Sequence, residues 1–424
     1  MINDTIFAKN CELNLLDFVK NISEGHNKIK TKFISDLLVG IFKSNSVLLS
    51  DISRNSIVGC TIKKSIDRLS RQLYSFDSNQ AFKNYINKAK ENLPQSPLYI
   101  IDDTDIAKPL STRMEGLGSI CDGSNNHAHT QGYLVNEIVA ISNNGQPISV
   151  ASHLYSPKEK EFQSANTITM KTINYVINNV GSGTFIADRG FDNVKLYAFL
   201  QRKQQDFIIR CKKNRDVIVN DRKLNIKNAC QLLKGKYSFK VRFQSGLKDN
   251  LKASFKKVRL PSMPNIDLNL VMVYGFHLDD KEPFMILTNK KLSGKADCIK
   301  VVMNYLSRWK IEEYFKFKKQ VFGFEKIRLS KLKALKNLNL FLTMVIGFIG
   351  KVSHTILANL IMKIAQPIKE KVAFIYYRIA NGLKRICPKF KTNIREYLFP
   401  PKPPKQYDLF HYAKYQKHHL NFTS

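Results

Sequence analysis

Three carboxylates have the types and positions needed for metal-dependent chemistry: Asp102, Asp188 and Glu312. The two aspartates each follow a short apolar run, 98–101 and 184–187, of the kind that forms buried strands. Residues just past strand ends form the ligand crevice of an α/β sheet, and carboxylates gathered there repel one another unless a divalent cation binds them. Two such ions can activate a water or a 3′-hydroxyl and stabilise the leaving oxygen of a phosphodiester. The pattern therefore predicts two Mg²⁺ ions, replaceable by Mn²⁺, held by these three side chains.

The first aspartate stands in an acidic run, so the sequence offers two candidates for the first ligand. Asp102 is followed directly by Asp103, and Asp105 comes two residues later. Side chains alternate along an extended chain, so Asp103 is expected to face away from Asp102. We take Asp102 as the ligand and keep Asp103 as the alternative.

Glu312 belongs to a segment, 305–319, that predicts a helix with cations beside its carboxylate. At about 100° per residue, five side chains fall within an arc of roughly 80°. They are Tyr305, Arg308, Glu312, Lys316 and Lys319. A metal-binding carboxylate flanked by cations that bind phosphates suits a helix that holds a phosphodiester for cutting. Glu313 lies outside this arc, so we prefer Glu312 as the ligand; an ordinary salt-bridged helix is the alternative.

These residues resemble those of a known family. Tyr305, Arg308, Glu312 and Lys319 match the signature Y-(2)-R-(3)-E-(6)-K of the IS-four group (Tn-five-like) of insertion-sequence transposases, which are DDE enzymes. The run D-R-G-F-D at 188–192 is similar to the second-aspartate motif of that group, and D-D-T at 102–104 is similar to the first. The long separation between the second and third carboxylates is also similar to that group, in which a β-rich insertion lies between them.

The resemblance implies a ribonuclease-H-like catalytic fold, Mg²⁺ dependence and cut-and-paste transposition. It implies that Asp102, Asp188 and Glu312 are the catalytic metal ligands. It also implies that the protein binds double-stranded DNA, both the terminal inverted repeats of the element and the target, as a homodimer. Together with the helix face, it assigns DNA contacts to Tyr305, Arg308, Lys316, Lys319, Arg189 and Arg210.

The surrounding sequence predicts an α/β fold in several regions. Residues 1–92 show helical periodicity and a basic face, which predicts a DNA-binding domain; a solvated helix face is the alternative. Residues 93–350 predict a ribonuclease-H-like catalytic domain with a mixed sheet and a β-rich insertion at about 212–296. Residues 351–424 predict a helical C-terminal region and a basic tail. The cations of the N-terminal face are Lys63, Lys64, Arg68 and Arg71.

Composition favours a polyanionic partner. The 424 residues include 68 Lys and Arg against 34 Asp and Glu, a net charge of +34, although a structural basic protein would show the same excess. The longest apolar stretch, 338–349, is too short to span a bilayer and predicts a buried helix. The N-terminus lacks a secretory pattern and the seven cysteines are scattered, so we expect a cytoplasmic protein associated with the bacterial nucleoid.

Two other functions stay open at this stage. One is a DNA-binding protein that descends from a transposase and no longer cuts DNA. The retained carboxylates argue against it, because a binding protein has no need of a costly acidic cluster. The other is a nuclease that cleaves DNA without joining strands, and the sequence does not separate it from a transposase.

Overall fold

A computed structural model describes residues 4–55, 61–122, 128–231, 235–242, 248–275, 283–365, 373–392 and 394–400. Helices begin and end the described chain, and a large mixed sheet with flanking helices lies between them. This arrangement confirms the predicted α/β fold class. The predicted basic tail, 401–424, lies outside the described residues.

The N-terminal region is helical, as its periodicity predicts. Asn27 and Thr61 each cap a helix by accepting a hydrogen bond from a backbone N–H three residues later. Apolar residues four positions apart, such as Leu69 and Leu73, are fully buried. The helices are α1 (Asp4–Ile22), α2 (Lys28–Ser44), α3 (Leu49–Asn55), α4 (Ile62–Ser75) and α5 (Asn79–Lys90).

The region predicted to be catalytic has five main strands and two helices at its centre. The strands are β1 (Leu98–Ala107), β3 (Ala128–Ile141), β4 (Pro147–Tyr155), β5 (Thr184–Ala187) and β6 (Asp206–Arg210), and the helices are α6 (Ala165–Asn179) and α7 (Val194–Arg202). A short strand, β2 (Gly118–Asp122), pairs with the start of β3. The strands lie in the order β4-β3-β1-β5-β6, with β1, β5 and β6 parallel and β3 antiparallel to both of its long neighbours. This is the ribonuclease-H-like core that the resemblance implies.

The central strand β1 is longer than its apolar run predicts. Its pairing with β5 ends at Ile101, opposite Ala187, but its pairing with β3 continues to Ala107. The expectation that the strand ends at Asp102 is therefore wrong, because β3 holds the other edge of β1. Asp102 lies inside β1, at the first position past its parallel neighbour.

The segment predicted as a β-rich insertion extends the same sheet. Its elements are β7 (Asp216–Val219), β8 (Arg222–Asn225), α8 (Ile226–Gln231), β9 (Tyr237–Arg242), β10 (Lys248–Leu260), β11 (Met263–Tyr274) and β12 (Phe284–Thr288). The last strand, β12, pairs with β6, and β11 and β10 follow outward from it. Strands β7 and β9 both pair with β10.

The C-terminal half of the chain returns to helices. They are α9 (Lys295–Leu306), α10 (Trp309–Phe322), α11 (Leu332–Val352), α12 (Leu357–Ile364), α13 (Tyr376–Ile386) and α14 (Ile394–Leu398). Helix α11 is long and apolar enough to cross a membrane, but 83% of its most apolar stretch is buried inside the protein. The prediction of a buried core helix is therefore confirmed.

Helix α11 joins the N-terminal helices to the catalytic sheet. It packs against β4 on one side and against α2, α4 and α5 on the other. Phe341 contacts Phe33 with ring centroids 5.6 Å apart, and Asn337 donates to the backbone oxygen of Leu73 at 2.7 Å. Gly347 lets the ring of Tyr85 lie on α11, because a Cβ there would stand 2.2 Å from the ring. The boundaries at 92 and 350 stay predictions: these contacts cross the first, and α11 itself runs through the second.

Candidate active site

The sheet brings the two aspartates to one edge. Asp102 follows the last β1 residue paired with β5, and Asp188 follows the last residue of β5. Because β1 and β5 are parallel and Ile101 pairs with Ala187, Asp102 and Asp188 lie next to each other just past the paired residues. The Asp188 carboxylate also accepts a hydrogen bond from the backbone N–H of Arg189 at 2.6 Å, which caps the short turn after β5.

Arg308 connects the first aspartate to the glutamate. One terminal nitrogen of its guanidinium lies 3.3 Å from Asp102 Oδ2, and the other donates to Glu312 Oε1. The Arg308 and Asp102 side chains are 18% and 24% exposed, so their contact is partly shielded from water, whereas Glu312 is 47% exposed. A guanidinium carries its donors in a rigid fork, which suits it to bridging two carboxylates. Asp102 and Glu312, which are far apart in sequence, therefore share one counter-ion.

Asp188 is held by a phenol and a second guanidinium. The Tyr305 hydroxyl donates to Asp188 Oδ1 at 3.3 Å, and Arg210 Nη1 lies 4.0 Å from the same oxygen. The Arg210 guanidinium also stacks over the ring of Phe284, 4.2 Å from its centroid. Tyr305, Arg308 and Arg210 thus lie beside the three carboxylates.

The segment 305–319 is not one helix. Helix α9 ends at Leu306, and α10 begins at Trp309. Tyr305 therefore lies at the end of one helix and Arg308 at the beginning of the next, and the expectation of a single helix is wrong. The two side chains still reach the same cluster, because the break is only two residues long.

Asp102 and Asp103 differ in their partners rather than in the direction of their pKa shifts. Burial raises the pKa of Asp102 to about 7, although the Arg308 guanidinium opposes the shift. Burial also raises the pKa of Asp103, to about 6, and its carboxylate accepts a hydrogen bond from Asn136 at 2.7 Å. Asp103 thus contacts Asn136 on the other face of the sheet, away from Arg308 and Glu312. The geometry favours Asp102 as the first ligand.

The other three predicted DNA-contacting cations, Lys319, Arg189 and Lys316, have different surroundings. Lys319 contacts Glu325 at 2.8 Å and Asp105 at 3.5 Å, so it lies near the end of β1. Arg189 has an exposed side chain beside Asp188. Lys316 instead pairs with Glu313 at 2.9 Å, so its predicted place beside Glu312 needs correction: the ammonium turns along the helix toward Glu313.

Asp192, in the loop after β5, is a structural residue that the sequence did not predict. Asp192 is buried and accepts hydrogen bonds from the Tyr197 hydroxyl at 2.6 Å, the Lys212 backbone N–H at 2.7 Å and Arg215 Nε at 2.8 Å. These bonds tie the loop after β5 to the loop after β6. An open notch of about 520 Å³ lies at Asp188 and is also lined by Arg189, Lys212 and Lys213. Asp192 is the final residue of the D-R-G-F-D run, and its place in that motif is the sequence feature that could have indicated its role.

The donor set suits magnesium. Among the described residues, no three His, Cys, Asp or Glu side chains are close enough together to hold one ion, and Arg308 lies between two of the carboxylates. Mg²⁺ prefers carboxylate oxygens and keeps several waters, so one or two carboxylates per ion are enough. A buried Asp102 with a raised pKa would be stabilised as the anion by a nearby divalent cation. Asp102, Asp188 and Glu312 therefore fit the ion chemically.

A cleft of about 670 Å³ opens beside the cluster. It lies between the α9–α10 junction and the strands of the extended sheet, and Glu312 and Arg308 form part of its wall. Its other walls include Arg210, Phe284 and Trp309, which combine positive charge with aromatic faces. Such a lining can bind a phosphate backbone and stack against bases.

The sheet order and the acidic cluster define the ribonuclease-H-like class of proteins. Within this class, residues 93–348 match the family described as a transposase DDE domain, and the chain belongs to that family. A solved structure of the piggyBac transposase synaptic complex with hairpin DNA is also similar, with 10% sequence identity, a TM-score of 0.46, and coverage of 98% of this chain and 85% of that one. No curated protein matches.

Proposed function

We propose that the protein is an insertion-sequence transposase of the IS-four group that binds the ends of its element and catalyses Mg²⁺-dependent strand cleavage and strand transfer. One observation carries this proposal: Arg308 and Tyr305 of the signature contact Asp102, Glu312 and Asp188. Three of the four signature residues, Tyr305, Arg308 and Glu312, thus lie together with Asp102 and Asp188 at one edge of the sheet. Family membership and the net charge of +34 support DNA as the substrate.

Each group in the cluster has a separate part in this mechanism. Asp102, Asp188 and Glu312 would hold two Mg²⁺ ions, or Mn²⁺ in their place, which supply an activated water or 3′-hydroxyl and stabilise the leaving oxygen. If Asp102 and Glu312 held the ions, the Arg308 guanidinium would be free to bind a phosphate through its fork. Tyr305 orients the Asp188 carboxylate through its hydrogen bond.

The remaining partners follow from the same proposal. Lys319, Arg189 and Arg210 would bind phosphates on either side of the cut, and Lys316 would bind farther along α10. The protein would act as a homodimer on two element ends and a target duplex. Its place would be the bacterial cytoplasm, at the nucleoid, where its substrate lies.

The test is a strand-transfer assay with the purified protein, Mg²⁺, and a duplex bearing the repeats that flank the coding region. We expect cleavage at the repeat boundary, followed by joining of the released end to a second duplex. Ca²⁺ should not support the reaction, because its looser and higher coordination does not hold the reacting oxygens in place. Cleavage without joining would identify a nuclease, and binding without cleavage would identify a DNA-binding descendant. Cleavage in excess EDTA would contradict the metal mechanism.

We predict that the exposed cations of α4 supply end-specific binding. Lys63, Lys64 and Arg71 are exposed, whereas Arg68 pairs with the buried Asp36 at 2.8 Å and is left unchanged. Changing the three exposed cations to Ala should lower the preference for the repeat over random DNA about 100-fold or more, because three contacts worth about 1 kcal/mol of discrimination each are lost. Competition binding at fixed salt measures that preference.

A matched control removes the same charge elsewhere. Lys171, Lys195 and Lys203 are exposed on other parts of the chain, and changing all three to Ala should weaken binding to both DNAs without altering the preference. Deletion of the whole N-terminal region is unsuitable, because α2, α4 and α5 share the core with α11. An unchanged preference in the α4 variant would assign end recognition to another surface.

A further inference from the structure

A charged residue interrupts the apolar face by which α10 packs on the sheet. Ile311, Phe315 and Phe322 are buried at the helical spacing of a core-facing stripe, and Lys318 occupies the position between the last two. The Lys318 side chain is 0% exposed. A leucine or methionine would satisfy this position by packing alone, so the lysine needs a separate explanation.

The buried lysine is fully satisfied by hydrogen bonds. Its ammonium lies 2.9 Å from Glu137 Oε2, and 3.4 Å from both Ser152 Oγ and Thr343 Oγ1, which gives one acceptor for each of its three N–H groups. The Glu137 carboxylate is also 0% exposed and accepts further bonds from Ser149 and Ser152. Such a network has one geometry, because shifting any member leaves a buried polar group without a partner.

Glu137 stands at a particular place in the sheet. In the antiparallel pairing of β1 with β3, it lies directly opposite Asp102. Residues directly opposite in such a pair point to the same face of the sheet. Glu137 and Asp102 therefore share the face on which α10 packs. Lys318 lies six residues after Glu312 on α10, about 9 Å along the helix axis.

Stability alone does not account for this pair. Taking two charges out of water costs about as much as their attraction returns, and apolar residues of similar volume often stabilise a core as well or better. Apolar contacts are less directional than hydrogen bonds, however, so an apolar stripe specifies the rotation and height of a helix less uniquely. An ion pair surrounded by directional hydrogen bonds is satisfied at only one rotation and one height of the helix on the sheet.

We propose that Lys318 and Glu137 are a positioning pair for the reaction: they fix the rotation and height of α10 on the sheet, so that Glu312 faces Asp102. The proposal rests on the proposed function, because it concerns how the carboxylates are brought together for cleavage. Neither residue contacts the reacting atoms. Lys318 also lies outside the Y-(2)-R-(3)-E-(6)-K signature, in which the neighbouring Lys319 is the final residue.

The test compares Lys318→Met with the neutral double variant Glu137→Gln/Lys318→Met in the full-length protein. Three quantities are measured: the melting temperature, the rate of single-turnover cleavage, and the affinity of the protein–DNA complex for Mn²⁺ by paramagnetic resonance without turnover. The single variant should melt well below the parent, because it leaves the Glu137 charge buried and unpaired. The double variant should recover most of the melting temperature, because the neutral amide that replaces the Glu137 carboxylate can still bond to both serines.

The double variant separates positioning from stability. We expect its cleavage to stay about 10- to 100-fold slow and its Mn²⁺ affinity to stay about tenfold weak, because a carboxylate displaced by about 1 Å loses that much. Recovery of both together with the melting temperature would overturn the proposal. A parent that binds Mn²⁺ without cleaving would refute the proposed function, and Mn²⁺ affinity alone would then decide the role of the pair. A parent that binds no Mn²⁺ would overturn both.

A control pair shows that losing any ion pair is not enough. Lys336 on α11 contacts Glu159, and this pair lies partly exposed, away from the carboxylate cluster. The variant Glu159→Gln/Lys336→Met should change the cleavage rate and the Mn²⁺ affinity by less than about twofold, since partly exposed pairs contribute little. A comparable loss of Mn²⁺ affinity in this variant would show a general effect of charge removal and overturn the proposal.

Discussion

Asp102→Asn, Asp188→Asn and Glu312→Gln should each reduce strand cleavage by about 1,000-fold or more, with DNA affinity changed by less than about threefold. Each substitution keeps the shape of the side chain but removes an anionic ligand, and a bound metal ion supplies several kcal/mol of transition-state stabilisation. DNA binding depends instead on the large excess of cations, which these substitutions leave intact. Single-turnover cleavage and filter binding on the same duplex measure the two effects.

Neighbouring acids provide matched controls. Asp103→Asn keeps an oxygen for the hydrogen bond from Asn136, and Glu313→Gln changes only the exposed contact with Lys316. Both should cleave at a rate within about fivefold of the parent, which corresponds to a change of about 1 kcal/mol in the activation free energy. An Asp103→Asn variant that is inactive beside an active Asp102→Asn variant would reverse the choice of first ligand. Normal cleavage by any of the three main variants would remove that residue from the catalytic set.

Arg308→Ala should lower cleavage by about 100- to 1,000-fold, the usual effect of losing one donor that stabilises developing charge. The guanidinium contacts both Asp102 and Glu312, so it lies close to the predicted metal ligands. In the DNA complex we expect it to bind a phosphate in place of these two carboxylates. Total DNA affinity should fall far less, and the slope of log affinity against log salt should decrease by about one. A salt titration of binding, run beside single-turnover cleavage, gives both numbers.

The conservative variant separates charge from geometry. Arg308→Lys keeps the positive charge but loses the fork, so it should restore the salt slope while leaving cleavage below the parental rate. Suppose instead that Arg308→Ala cleaves normally with an unchanged slope. The guanidinium would then serve only as a counter-ion for the two carboxylates, and the signature match would be misleading at this position.

The strands and the acidic positions were predictable because the information for them is local. Continuous apolar runs at 98–101 and 184–187 predict buried strands, and the structure has β1 and β5 there. The fold class follows from their order with the intervening helix. The spacing from Tyr305 to Lys319 likewise depends only on neighbouring residues. The break between α9 and α10 was missed, because no glycine or proline marks it.

The contacts that assemble the site were not predictable, because their partners are distant in sequence. Lys318 and Glu137 are separated by 181 residues, and Arg308 and Asp102 by 206. A lysine on an amphipathic helix ordinarily predicts a solvent-facing position, so nothing in the local pattern marks Lys318 as buried. The continuation of the sheet through β12 was missed for the same reason, since its partner β6 precedes it by some 75 residues.

The place of α11 also has a consequence for synthesis of the protein. Helices α2, α4 and α5 cover their apolar faces with α11, which is made more than 200 residues later. At about 5–20 residues per second, the ribosome exposes those faces for at least some ten seconds before their partner emerges. Nascent chains should therefore recruit holdase chaperones at their N-terminal helices, and a premature stop before α11 should yield a product that proteases remove.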